Sequence, residues 1–309
     1  MRIKASPYLL LVFSSIFWAG NFVLGRAVKS SVPPVGLAFW RWTIALAILL
    51  PFSLPHLRSQ WRLVRDNWRK LAIYGILGVT CFNTFVYLGL HTTTAINALL
   101  VNSIIPVLIV VLSRVLTYTP VTRRQAMGII LSLAGVITII CRADAGLLLS
   151  LQINRGDLWV LLAVVSWSFY TFLLRKRPAG LHPLIFLSSI MIIGLVVLAP
   201  FYAGEMLLGA RVGTDAATCG SILYMAIFPS ILAFIFWNQA VEDVGPGTAG
   251  LFLHLMPVFG AGLSSVFLGE SLHLFHLAGM SLIFSGIYLA TIRMKQCHPG
   301  YGPGQSLQE

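Results

Sequence analysis

Ser14, Trp18, Asn21 and Gly25 stand at steps of four, three and four residues in the apolar stretch SSIFWAGNFVLGR, Ser14 to Arg26. In a helix they fall within about 60° of one another, which makes a polar and aromatic stripe on a segment otherwise suited to lipid. An indole offers a flat apolar face with one N–H, and an amide offers both a donor and an acceptor. Together they can hold a compact amphipathic solute without a fixed charge. The pattern returns as Ala163, Trp167, Tyr170 and Leu174, and Arg175 follows it as Arg26 follows the first. Two such stripes read as opposite walls of one transport path.

Two further pairs of segments carry polar groups. Thr80, Thr84, Tyr87 and His91 share one helical face, and Ser230, Phe234, Trp237 and Val241 share the equivalent one, with Asn83 and Asn238 beside them. Farther on, Asn97, Asn102 and Ser103 are matched by Thr248, His254 and Pro257. The candidate substrate-binding residues are therefore Trp18, Asn21, Tyr87, His91, Trp167, Tyr170, Trp237, Asn238 and His254. A belt of aromatics at the membrane surface accounts for Trp40, Trp42, Trp61, Trp68 and Trp159, and less well for rings in the middle of a span. Packing inside a closed bundle stays open as the alternative for those. A lone buried amide is more often glue between helices than a ligand contact, and His254 reads as a neutral, hydrogen-bonded group rather than a proton relay.

Absences narrow the chemistry. All nine carboxylates lie in loops, at span ends or in the tail. No mid-membrane Asp or Glu is then available for sodium or protons, and passage down the solute's own gradient is expected. Arg41 is the one charge inside a span, about a turn and a half from its outer end, and reads as an anchor that snorkels outward or pairs with a polar group. With Arg41 so placed, no Lys or Arg lies deep in the membrane, which favours a neutral solute over a dianion. Cys81, Cys141, Cys219 and Cys297 lack metal-ligand or redox spacing, and a Cys141–Cys219 pair is the lesser alternative to separate thiols. The string GPGTAG, Gly245 to Gly250, matches a dinucleotide fingerprint but follows a helix, so it reads as a turn. With no HExxH, no GxSxG and no paired intramembrane carboxylates, neither a metal, a cofactor nor an enzyme is expected.

Positioning these stripes requires spans. A chain of 309 residues that is 58% hydrophobic and 10% charged has too little polar surface to coat a water-soluble globule. Ten apolar runs lie at about 7–28, 35–55, 71–90, 94–113, 125–141, 157–174, 183–203, 218–241, 247–268 and 273–293, each near the length that crosses a bilayer. The chain therefore reads as an all-α integral membrane protein, its first run retained as a span rather than cleaved as a signal peptide. The formal charge of +12 comes from clusters between the runs. This fits the positive-inside rule rather than nucleic acid and places both termini in the cytoplasm. Residues 56–70, HLRSQWRLVRDNWRK, read either as a short interfacial helix on anionic lipid or as a basic loop.

The chain also repeats itself. At an offset of 149, Trp18 meets Trp167, Arg26 meets Arg175, Pro34 meets Pro183 and Pro51 meets Pro200. At 151, Ala98 meets Ala249, Pro106 meets Pro257, Gly128 meets Gly279 and Gly135 meets Gly286. Residues 1–150 and 151–295 thus read as two five-helix repeats, followed by a disordered cytoplasmic tail at 296–309. Five is odd, so the second copy enters the membrane from the opposite face, an inverted arrangement suited to alternating access. Pro106 and Pro257 allow bends, and the glycine pairs offer a small-residue face for close packing between the halves or between protomers.

The FWAGNFV segment (Phe17 to Val23), Arg41, the stretch Ala98 to Pro106, GTAGLFLHLMPV (Gly247 to Val258), the LGE of Leu268 to Glu270 and the late-span glycines give the chain a further likeness. Over residues 7 to 293 it resembles the EamA-type branch of the drug/metabolite transporter superfamily, and within it the YddG-type exporters of aromatic and other neutral amino acids. The resemblance implies a bacterial inner-membrane exporter with a central cavity between its halves. The chain departs from the pattern where Thr119 stands in the first copy at the place of Glu270 in the second. The uncharged aromatic stripes agree with a neutral, aromatic amino acid as substrate. Efflux of amphipathic drugs or metabolites is the alternative, a lipid-modifying enzyme a more distant one, and monomer against homodimer stays open.

Overall fold

The computed structural model describes residues 3–93, 95–149, 154–268 and 273–291. Ten helices there are long and apolar enough to cross a membrane: α1 (Pro7–Ala27), α2 (Pro34–Asp66), α3 (Trp68–Thr92), α4 (Asn97–Thr117), α5 (Arg123–Ile140), α6 (Arg155–Lys176), α7 (Pro183–Leu207), α8 (Ala216–Val244), α9 (Pro246–Leu263) and α10 (Leu274–Thr291). No strand occurs among the described residues. Glu270, Cys297 and the rest of the tail at 296–309, all named in the sequence reading, lie outside the described residues. Cys81, Cys141 and Cys219 are free thiols.

Local chemistry sets the helix starts. Proline occupies the first turn of α1, α2, α7 and α9, where its missing N–H leaves no bond unmade. α6 opens on a capping box of Asn154 and Asp157. α2 is capped from elsewhere: Glu205, near the end of α7, accepts from the Val35 and Gly36 amides at 3.1 and 2.7 Å, an anion at the positive end of a helix. Residues 56–70, read as a short interfacial helix or a basic loop, are instead the last turns of α2, which runs on through Pro51 and Pro55 to Asp66, and the first turn of α3 from Trp68.

The two halves share their irregularities. A π-helical segment occupies Gly75–Cys81 in α3 and Ala226–Leu232 in α8, and the two stand 151 residues apart. α4 is interrupted at Ser103 and Ile104 just before Pro106, and α9 tightens into a 3₁₀ turn at Phe252–His254 just before Pro257. Each proline lacks the N–H that would continue the ladder. Pro229 does the same inside the α8 π segment, and Ser230 Oγ donates to the Met225 carbonyl at 2.7 Å in its place.

The halves interleave. α1 packs on α8 and α9, α2 on α7 and α8, and α3 and α4 on α6, while α5 packs on α10. The last pair is a glycine seam: a Cβ at Gly128 would lie 2.5 Å from the Gly286 carbonyl, and one at Gly135 2.5 Å from that of Gly279. The small-residue face left open by the sequence thus joins the two halves, in a crossing too close for any side chain. At one end Ile3 and Gln239 exchange hydrogen bonds of 2.9 and 2.8 Å. That end also carries Arg58, Arg62, Arg65, Arg175 and Arg177 and is called the basic end below; Asp157 and Glu205 mark the opposite end.

Candidate functional site

α1 and α6 bring Trp18 and Trp167 edge to face, ring centres 5.0 Å apart at 85°. Trp237 lies 5.1 Å from Trp18, Phe234 5.4 Å from Trp167, Phe82 4.7 Å from Trp167, and Tyr170 stacks on Trp167 at 5.0 Å. Positive ring edges meet negative faces, so the layer is cohesive beyond the area it buries. The polar tips are anchored. Trp18 Nε1 donates to the Pro229 carbonyl at 3.1 Å, Trp237 Nε1 to Thr171 at 3.3 Å and the Tyr170 hydroxyl to Asn238 Oδ1 at 2.8 Å. The two stripes therefore meet directly in this structure, with no substrate-sized gap between them, because the rings themselves fill the space.

On the opposite-end side of this layer lies Arg41, only 1% exposed. Its Nη1 donates to Asn21 Oδ1 and Asn83 Oδ1, both at 2.9 Å, and to the Tyr87 hydroxyl at 2.6 Å. Tyr87 in turn donates to Asn21 Oδ1 at 2.9 Å. Nε donates to Ser230 Oγ at 2.9 Å, and the guanidinium carbon sits 5.0 Å from the Trp42 ring centre. Among the described residues no carboxylate pairs with it. Of the two readings of Arg41, pairing with polar groups holds and snorkelling does not, and the expectation of an uncharged centre is corrected. Four neutral oxygens from α1, α3 and α8 solvate the cation where lipid cannot. Nearby, Trp42 Nε1 is buried without a hydrogen-bond partner.

From the basic end a vestibule of about 1150 Å³ enters between the halves, bounded by the loop at Thr119 to Thr122, by Arg175 and Arg177, and by the turn at Glu242 to Thr248. Val241 and Leu174 line its inner reach, one helical turn beyond Trp237 and Tyr170. The GPGTAG string is part of that turn, with Gly245 at φ 81° and Pro246 starting α9. Arg177 pairs with Glu242 at 2.8 Å across the vestibule wall. Outside the spans, Asp215 caps α8 and accepts from Thr218 Oγ1 and N at 2.6 and 2.9 Å. Those bonds hold its carboxyl below the usual range.

Of the candidate residues, Trp18, Trp167, Tyr170, Trp237 and Asn238 form or brace the ring layer, and Asn21 and Tyr87 belong to the Arg41 network. His91 joins neither: it sits in the last turn of α3 and is exposed. His254 lies apart, buried between the breaks of α4 and α9. Its Nε2 is 3.0 Å from the Ser103 carbonyl and its Nδ1 2.7 Å from Ser132 Oγ. A carbonyl only accepts, so Nε2 bears the proton and Nδ1 takes the serine's. Asn83, Ser230 and Arg41 itself were missing from the candidates. The available signal was Arg41 as the one intraspan charge, with Asn83 beside the Tyr87 stripe.

Known proteins share this architecture. The EamA-like transporter family profile matches the chain twice, at residues 5–141 and 154–292. The uncharacterized transporter YyaM of Bacillus subtilis (strain 168) is 29% identical over 92% of this chain and 93% of its own. An uncharacterized transporter of Archaeoglobus fulgidus is 25% identical over 95% and 100%. A crystal structure of a chain 21% identical in sequence superposes with a TM-score of 0.73 over 92% of this chain and 96% of that one.

Proposed function

Because the chain belongs to the EamA-like transporter family, we propose that it exports aromatic and other neutral amino acids by alternating access. The sealed ring layer carries this reading: it stands between an open vestibule on one side and a buried polar network on the other. Indoles can stack on an apolar ring, and amides and hydroxyls can take the polar end of an amino acid. The positive-inside rule puts the basic end in the cytoplasm of a bacterial inner membrane, so the vestibule faces the cytoplasm in this conformation. Export requires the ring layer to part toward the vestibule, admit the solute, and reseal as α1 and α2 move from α8. Among the described residues no carboxylate pairs with the Arg41 network, and flux runs down the solute gradient.

Counterflow in proteoliposomes loaded with tryptophan, phenylalanine or threonine tests the reading. Wild-type protein is expected to exchange label, and Trp167→Ala to slow it. Absence of exchange for every amino acid would overturn the substrate class, and strong acceleration by an imposed pH gradient would overturn the uncoupled mechanism. Efflux of amphipathic cations is the less favoured reading, since Arg41 repels them. Growth protection against amino-acid analogues rather than cationic dyes separates the two.

A further inference from the structure

We infer that Arg41 is a carboxylate receptor, so that the protein selects solutes by their acid group before their ring. This rests on the transport reading above and names the group recognised at the same site. The guanidinium has two usable edges. Both Nη1 protons serve oxygens of its own half, on Asn21, Asn83 and Tyr87. The other edge, Nε with Nη2, is the fork that matches the two oxygens of a carboxylate. Of that fork only Nε is engaged, by the neutral Ser230 hydroxyl of the other half, and Nη2 makes no hydrogen bond among the described residues.

The asymmetry has a mechanical meaning. When the halves part, Arg41 loses Ser230 alone; its other three partners travel with it and keep the cation oriented. The exposed fork then carries a full positive charge that no described carboxylate balances, beside the aromatic layer. Trp42 Nε1 beside it is buried without a partner, and the cation lies over the Trp42 ring. A solute with a carboxylate on a short stem from an aromatic or apolar body satisfies the fork with its acid and the rings with its body. An amine of the same ring brings a second positive charge to the same place and is rejected.

The test compares three ligands of one ring system on purified full-length protein: tryptophan, its deaminated acid indole-3-propionate, and its decarboxylated amine tryptamine. Thermal stabilisation in detergent is read across a concentration series, and counterflow is run in parallel. Tryptophan and the acid are expected to half-saturate at concentrations at least about tenfold below the amine, and Arg41→Gln to remove that preference. Arg41→Lys, which keeps the charge but not the fork, is expected to keep the preference for acid over amine at weaker affinity. That variant and the wild-type ligand series stand even where Arg41→Gln does not fold. Equal binding of amine and acid, or an unchanged preference in Arg41→Gln, overturns the assignment while leaving amino-acid export intact. Stabilisation by the acid without any amino-acid exchange overturns export and leaves the carboxylate site standing.

Discussion

The two halves hold the same hydrogen bond with its residues exchanged. Asn21 of α1 accepts from Tyr87 of α3 at 2.9 Å; in the second half Tyr170 of α6 donates to Asn238 of α8 at 2.8 Å. The counterpart of Asn21 at an offset of 149 is Tyr170, and that of Tyr87 at 151, the offset of the π segments, is Asn238. Onto the first pair Arg41 adds a cation. At the matching place of the second half stands Ile190, fully buried and apolar. Duplication thus accounts for the frame of ring layer, π segments and helix breaks, whereas the chemistry depends on where the copies differ. A symmetric frame with a charge on one side only has a direction.

The largest expected effect comes from forcing the halves to match. Ile190→Arg buries a second cation with no acid to meet it and is expected to cost on the order of 3–5 kcal/mol. The measurement is thermal unfolding and monodispersity in detergent, and wild-type stability in that variant would show that the second half accommodates a cation equally. Arg41→Ile makes the halves alike in the other sense. It is expected to lower amino-acid flux by about ten- to a hundredfold, the loss of one charged hydrogen-bonding site, and flux at the wild-type rate would remove the cation from the mechanism.

Finer substitutions probe the exchanged pair. Tyr87→Phe removes a donor to Asn21 and an acceptor of Arg41, while Tyr170→Phe removes only the donor to Asn238. The first is expected to destabilise by about 2 kcal/mol and the second by about 1 kcal/mol, so equal melting shifts would erase the distinction. The smallest effect concerns the rings. Trp18→Phe forfeits the bond to the Pro229 carbonyl as well as ring area, and thermal unfolding should show it less stable than Trp167→Phe by about 0.5 kcal/mol.

Fold and site differ in how far they can be read from residue order. Spans declare themselves through runs of apolar residues, and the repeat through Trp18 with Trp167 and Pro106 with Pro257, because both are local patterns. For Arg41, residue order leaves snorkelling and pairing both open because a charge near a span end can do either, and what keeps it inside is four oxygens drawn from three other helices. No spacing reports such an assembly. The stripes at Trp18 and Trp167 were legible as stripes, yet helical period cannot tell two walls that touch from two that face each other across water. His91 shares Tyr87's face by the same period, but α3 ends one residue later at Thr92, so it emerges at the surface.

The contact between His254 and Ser103 spans 151 residues, the offset of the repeat in these spans, so each residue touches its own counterpart. In a pair of identical units, every position on the symmetry axis would confront a copy of itself. Two histidines there would compete for one kind of partner, and two bare carbonyls would have no donor between them. A single covalent chain escapes that constraint: one copy keeps the acceptor and the other evolves the donor. The halves are therefore no longer interchangeable parts. Neither, doubled, could rebuild this junction, and the loss of self-complementarity at the axis commits the two repeats to each other.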